Sequence, residues 1–210
     1  FKGKTNLLQT LFRYAGQEKK LKILNIGAGT GDDITEIARF GFIYAVDIDA
    51  KTLDLIPENL VAEKKIGDIC NLPYADEFFD IVVACDVLEH IKDDSRAVGE
   101  LQRVLKKGGL VIFTVPAMNF LFGPHDRALG HFRRHTKKSA ALLFKHEFQK
   151  IRLGYWMFLL FLPAAFKRLL SQQSKKSEVD TTPLPKFLNE FLYYILLFEN
   201  WLIKIGLGFP

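Results

Sequence analysis

Four largely apolar runs mark out the first half of the chain, at residues 22–26, 42–47, 79–85 and 110–115. Runs of this length and continuity fit strands covered on both faces, as in a parallel sheet. Residues 64–67 form a weaker strand between the second and third. Helical spacing fills the intervals, over residues 5–14, 33–40, 50–59 and 95–105, with Gly108-Gly109 as the stop after the last. This alternation predicts an α/β fold with a doubly wound, mostly parallel sheet.

After Pro116 the texture changes. Residues 116–135 read as a loop rich in His, Arg and aromatic side chains, and Thr136 as the N-cap of a helix through Lys145. Residues 148–156 predict a sixth strand. Residues 157–170 are strongly apolar and then basic, 171–186 have linker composition, and 187–205 form a second apolar helix. The expected organisation is one domain over 1–156 and an apolar helical extension or cap over 157–210. A membrane span needs roughly 20 apolar residues. The uncharged stretch 155–166 is short and holds Pro163, while Glu190, Glu199 and Lys204 interrupt the second helix. The two stretches read as interfacial helices, a cap over an apolar pocket, or packing in the core or a homodimer.

At 210 residues, 49% hydrophobic and 25% charged, the chain is globular, with enough length to bury a core without disulfides. Its two cysteines, Cys70 and Cys85, exclude a disulfide scaffold and a Cys-rich zinc module, and read as buried thiols in a reducing compartment. The sequence opens on Phe1 rather than Met, which is compatible with a targeting segment removed upstream. Net charge is +5, unevenly spread: residues 21–124 carry −7, whereas 1–20 carry +4 and 125–152 carry +6. Basic flanks around an acidic centre suit an anionic partner (phosphate, membrane surface or nucleic acid) or simply solvated faces.

The sharpest local signal is Gly27-Ala28-Gly29-Thr30-Gly31, where a strand ends and a helix begins. Alternate glycines let the backbone turn tightly and let a ligand lie against it. Asp32 or Asp33 can cap the helix that follows. Twenty residues after Gly27, the second strand ends at Asp47, where a carboxylate can accept both hydroxyls of a ribose. The dinucleotide pattern Gly-x-Gly-x-x-Gly would need glycine at position 32, which is Asp, and an acid there repels a pyrophosphate.

Gly-x-Gly-x-Gly in this setting resembles the first motif of the class I S-adenosylmethionine-dependent methyltransferases. Ala45-Val46-Asp47-Ile48-Asp49 resembles that family's second motif, and Ile66-Gly67-Asp68-Ile69 its third. Residues 79–91 resemble its fourth strand and lip, and 101–113 its next helix, glycine turn and fifth strand. The resemblance covers about residues 21–116 and implies a Rossmann-like sheet that binds S-adenosylmethionine and releases S-adenosylhomocysteine. By position it assigns Asn25, Gly27, Ala28, Gly29, Gly31, Asp47, Ile48, Asp68, Ile69, Cys85 and Asp86 to the cofactor. It places Asp47 on the ribose, Ile48 on the adenine, Asp68 on the adenine amino group and Asp86 near the methionyl group. The family usually carries an acid where Asn25 stands. Asn accepts the same hydrogen bond without charge, so weaker affinity is expected. The family also has seven strands where six are readable here, so the sequence is expected to stop short of the seventh.

The loop after the fifth strand should lie at the carboxyl edge of the sheet, where ligands bind. Its His125-Asp126 and Gly130-His131-Phe132-Arg133-Arg134 resemble a bacterial and archaeal methyltransferase subgroup (type 11/12-like) found beside glycan and lipid biosynthesis enzymes. That subgroup also has an apolar C-terminal extension. Methyl transfer from a sulfonium needs alignment, and an oxygen or nitrogen acceptor can also need a proton removed. His125 is the first candidate base, with Asp126 to orient it or another His, and His131 the second; Arg133, Arg134 and His90 are candidate substrate contacts. The alternative for each is a side chain that staples the loop. His131 and His135 stand four apart, a spacing that suits a metal on one helix face, but no clustered carboxylate or Cys accompanies them and no metal is assigned.

The expected activity is therefore methyl transfer to a small-molecule or lipid- or glycan-linked acceptor, with O- or N-methylation favoured. The expected location is cytoplasmic, with peripheral contact at the inner membrane face. The competing readings are an NAD-dependent oxidoreductase, against which Asp32 argues, and a non-catalytic module with a vestigial cofactor site. A nucleic-acid partner is not expected, because no Asn-Pro-Pro-aromatic motif for an extruded base is present.

Overall fold

The computed structural model of the protein describes residues 2–15, 20–171 and 185–207. Five strands form one all-parallel sheet: β1 Leu21–Ile26, β2 Gly41–Asp47, β3 Glu63–Ile66, β4 Phe79–Cys85 and β5 Leu105–Thr114. Their spatial order is β3-β2-β1-β4-β5. The chain steps outward from β1 to β3 and then returns to β4 beside β1, so the order reverses between them. Loops leaving the carboxyl ends of β1 and β4 diverge there and open a crevice.

Alternate side chains cover the two faces. Ile23, Ile43, Ile81 and Val83 pack on Leu8 and Phe12 and on Ile34, Ile37 and Leu53. Leu24, Val46, Val82 and Ala84 pack on Ala97, Val98, Leu101 and Val104, with Phe144 beside them. Burying one such side chain is worth about 1.5–3 kcal/mol. The continuous apolar runs of β1 and β4 are explained by this two-sided cover.

Two of the four helices predicted in this half, 33–40 and 50–59, are shorter than the sequence predicts, for local reasons. α1 spans Lys2–Leu11 and tightens into a 3₁₀ turn at Phe12–Ala15. The stretch 33–40 becomes α2, Ile34–Ile37, and a 3₁₀ turn at Ala38–Phe40. Asp33 stands at the N-cap of α2 but makes no capping bond; it pairs instead with Lys4 at 3.0 Å. α3 spans only Ala50–Asp54, because Pro57 lacks an amide and keeps the residue before it out of the helical region. α4 spans Asp94–Val104, with Asp93 accepting from the Arg96 amide as its cap.

Gly108-Gly109 does not end that helix. The Arg103 and Val104 carbonyls accept from the amides of Glu77 and Phe78, which turns the chain into β5 at Leu105. The glycine pair then lies within β5, opposite a register shift between Phe79 and Ile81.

α5 Pro124–Ala128, α6 Lys137–Phe144, α7 Phe161–Ser171 and α8 Lys186–Lys204 complete the fold. Thr136 caps α6, accepting from the Ser139 amide. The sixth strand predicted at 148–156 does not form. Side chains tie that segment down in place of a backbone ladder: Arg152 donates to the Ile203 carbonyl and Trp156 Nε1 to Asn200 Oδ1, while Tyr155 OH accepts from the Lys137 amide. β5 is therefore paired on one edge only among the described residues. The expected linker, 171–186, falls largely outside the described residues. α8 packs on α1, where the buried Asn200 donates to the Gly3 carbonyl at 2.9 Å. Buried Glu199 accepts from the Phe158 and Leu159 amides. No described helix is long and apolar enough to cross a membrane. Cys85 is buried as expected, but Cys70 is only half-buried, its thiol facing the Asp93 carbonyl.

Candidate functional site

β1 ends at Ile26 and the chain turns through Gly27, whose φ of +64° is left-handed. A Cβ on Gly27 would lie 2.4 Å from Val87, so glycine is required there by both conformation and space. Gly29 is also left-handed, but a Cβ there would meet nothing within 4 Å, so this backbone is open to an approaching ligand. The Gly27 and Ala28 amides donate to the Val46 carbonyl, and the Gly29 amide donates to Asp47 Oδ2 at 2.8 Å. Asp47 Oδ1 accepts from the Asp49 amide at 3.0 Å. The carboxylate is thus fixed between two loops, with lone pairs left on both oxygens. Ile48 beside it is 77% exposed, an apolar platform at the rim.

The third loop holds Asp68 exposed, its Oδ1 accepting from the Cys70 amide, while Ile69 is buried beneath it. Between the glycine loop and β4 lies a cleft of about 160 Å³, lined by Lys4, Asn25, Gly27, Ala28, Gly29, Thr30, Asp32, Asp33 and Cys85. Its polar groups are of both signs. Burial opposes the charge of Lys4, but Asp33 outweighs it and holds the ammonium above its ordinary pKa. Asp33 Oδ1 is buried and has no hydrogen-bond partner. Burial pushes the Cys85 thiol up to about 12, so it stays protonated. Asp86 adopts a left-handed conformation at the strand end and accepts from Thr114 Oγ1. Lys4 carries no motif that announces it, since α1 delivers it from outside the sheet, and Asp33 is readable in the sequence only as a helix cap.

A second constellation gathers side chains from three separated segments. Asp126, on α5, is fully buried. It accepts from the Gly123 amide and from Arg134 Nε at 2.9 Å, lies 3.2 Å from Arg168 Nη1, and faces His131 Nδ1 at 3.1 Å. Burial works against its charge, but Arg134 outweighs it and holds the carboxyl below the usual range. Arg134 is buried with it, and Arg133 donates to Asp94 and to the Lys92 carbonyl, so both guanidinium groups are engaged within the fold. His131 and His135 do not share a helix face. The segment between α5 and α6 is extended, and His135 lies near Asp94 while His131 turns toward the lip after β4.

On that lip, His90 is exposed and its ring meets His131 edge to face at 4.6 Å. The Phe132 amide donates to the Glu89 carbonyl and clips the two segments together. Glu89 is 1% exposed, and neither carboxylate oxygen has a hydrogen-bond partner on another residue. Burial pushes its carboxyl up to about 8, with the Asp86 charge adding to the effect. Burial also lowers His90, His125 and His135 from the ordinary imidazole value, with Arg168 adding to the effect at His125. Glu89 and Arg168 are not readable as site residues in the sequence, since no spacing joins them to 123–135.

Comparison with known proteins supplies the context. Residues 24–113 match the family described as a methyltransferase domain. An uncharacterized methyltransferase of a Mycobacterium species is 29% identical over 112 residues, which cover 52% of this chain and 44% of that protein. A ubiquinone/menaquinone biosynthesis C-methyltransferase of Laribacter hongkongensis is 30% identical over 107 residues, covering 47% and 44%. In both cases the match spans less than half of the relative's length. Phosphoethanolamine N-methyltransferase 2 of Haemonchus contortus, solved with S-adenosyl-L-methionine, superposes with a TM-score of 0.63 at 18% identity, covering 94% of this chain and 48% of that one.

Proposed function

Since the chain belongs to the class I methyltransferase family, we propose that it binds S-adenosylmethionine across the carboxyl ends of β1, β2 and β4 and transfers its methyl group to an oxygen or nitrogen acceptor. The observation that carries this reading is the Asp47 carboxylate, fixed by the Gly29 and Asp49 amides with acceptor capacity left toward the cleft. The cleft fits the amino-acid end of the cofactor as well. Asn25 and the orphaned Asp33 Oδ1 offer acceptors to its ammonium, and Lys4 a cation to its carboxylate. Ile48 gives the adenine an apolar face, and Asp68-Ile69 lie at its edge. Asp32 also lines the cleft and supports a sulfonium cofactor over a pyrophosphate. Bound there, S-adenosylmethionine supplies an electrophilic methyl group on a positively charged sulfur.

The protein's own part is alignment and proton removal. His125, with its pKa held low, is neutral near pH 7 and able to accept a proton, while Asp126 orients His131 beside it. The acceptor is a small molecule or a lipid- or glycan-linked one. The apolar side chains exposed on α7 and α8, among them Leu162, Phe166, Phe191 and Trp201, support a lipid-linked acceptor, and Arg168 ties α7 to the cluster. Calorimetric titration of S-adenosylhomocysteine into wild type and Asp47→Ala tests the reading. Binding that weakens about tenfold or more in the variant, one lost charge-assisted contact of about 1.5–3 kcal/mol, is expected. Equal affinity in both proteins overturns it.

A further inference from the structure

We propose that Glu89, His90 and His131 form a binding site for a divalent transition-metal ion of the zinc class. One ligand atom from each side chain lies within 4.8 Å of the others. Three such atoms have a common centre no more than about 2.8 Å from each, against about 2.0–2.2 Å for zinc bound by nitrogen and oxygen, so small side-chain rotations close the shell. Two imidazoles and a carboxylate are a donor set that zinc and its neighbours accept, and three protein ligands leave a position open.

Two further observations point to a ligand. Glu89 is 1% exposed with neither carboxylate oxygen bonded to another residue, an arrangement that is costly for a buried carboxylate and that a cation relieves. His131 is held by Asp126 at 3.1 Å on one ring nitrogen, which fixes its tautomer and leaves the other nitrogen's lone pair for a metal. Asp126 is in turn locked by Arg134 and Arg168, so the orienting carboxylate is itself immobile. The Phe132–Glu89 backbone bond sets the spacing between the two segments that supply the ligands. The lip carrying Glu89 and His90 follows directly on Cys85, which borders the cofactor cleft. The open coordination position thus suits an acceptor hydroxyl or phosphate oxygen; that use, unlike the binding itself, rests on the methyl-transfer reading.

Calorimetric titration of Zn²⁺ into the full chain, with visible absorption of the Co²⁺-substituted protein, tests the site. Expected is one ion per chain, weakened about tenfold or more by Glu89→Gln and by His90→Ala, and unchanged by His146→Ala at an exposed position outside the cluster. His90 is itself exposed, so its variant keeps the test open if Glu89→Gln fails to fold. Absence of stoichiometric binding, or equal affinity in wild type and all three variants, overturns the proposal. S-adenosylhomocysteine titrated into the same samples separates the two readings. Cofactor binding without zinc removes only the metal site, and zinc binding without cofactor leaves the site and removes methyl transfer.

Discussion

The cleft at the glycine loop and the cluster around Asp126 are built from different material. In the cleft, backbone amides of Gly29 and Asp49 aim at one carboxylate, and the strands β1 and β2 hold those amides in register. In the cluster, side chains from the loop 123–135 and α7 converge on a buried ion-pair node, and the lip meets it through the His90 ring on His131. A backbone-built site inherits its precision from the sheet and tolerates changes in its surroundings. A side-chain network stands or falls with its central charge.

That contrast predicts unequal responses to mutation. The largest is at Asp126→Ala, which leaves Arg134 buried without its partner carboxylate and should cost about 3–5 kcal/mol in urea unfolding. Cofactor affinity of the folded fraction should change little, because no group of the cluster lines the cleft. A fall in that affinity as large as the one from Asp47→Ala would merge the two regions into one.

Next comes the glycine pair, compared within the cleft. Gly27→Ala combines left-handed strain with a contact 2.4 Å from Val87 and should destabilise the fold by about 2–5 kcal/mol, toward the lower end if Val87 rotates away. Gly29→Ala meets no neighbour and should cost only the conformational part, about 1–2 kcal/mol, while cofactor affinity drops. Thermal melts with and without S-adenosylhomocysteine separate the two: ligand should raise the midpoint of the Gly29 variant least for its unliganded stability.

The smallest effect lies at the opposite, amino-terminal end of the sheet. Burial works against the charge of Asp80, but Lys106 at 2.6 Å and the Lys22 amide at 2.8 Å outweigh it and hold its carboxyl low. A depressed carboxyl contributes stability above its pKa in the unfolded chain, about 3.9, and loses it as pH falls. Asp80→Asn should therefore cost about 0.5–1 kcal/mol at pH 7, with the difference from wild type shrinking toward about pH 3. A difference that persists unchanged into acid would contradict the ion-pair account.

The same contrast explains what is legible in the sequence. Glycines at alternate positions and an acid at a strand end are local patterns, so Gly27, Gly29 and Asp47 can be placed together from the order of residues alone. Four of the five strands are equally visible, because they carry largely apolar runs, whereas β3, Glu63–Ile66, is polar, lies at the sheet edge and reads only weakly. Segment 148–156 reads as a strand but is none, because β-rich composition cannot reveal whether a neighbour offers a ladder; Arg152, Tyr155 and Trp156 make side-chain bonds instead. Glu89 gives no signal, since its burial without a partner is a tertiary outcome that no local spacing marks. Arg168 reaches Asp126 across 42 residues of sequence, a distance no periodicity spans.

Hydrogen–deuterium exchange of the full chain, with and without saturating S-adenosylhomocysteine, tests the central claim most directly. The account predicts slowed exchange at residues 25–31, 47–49 and 68–71, with 123–135 unchanged. Protection confined to 123–135, or none anywhere at saturation, would contradict it.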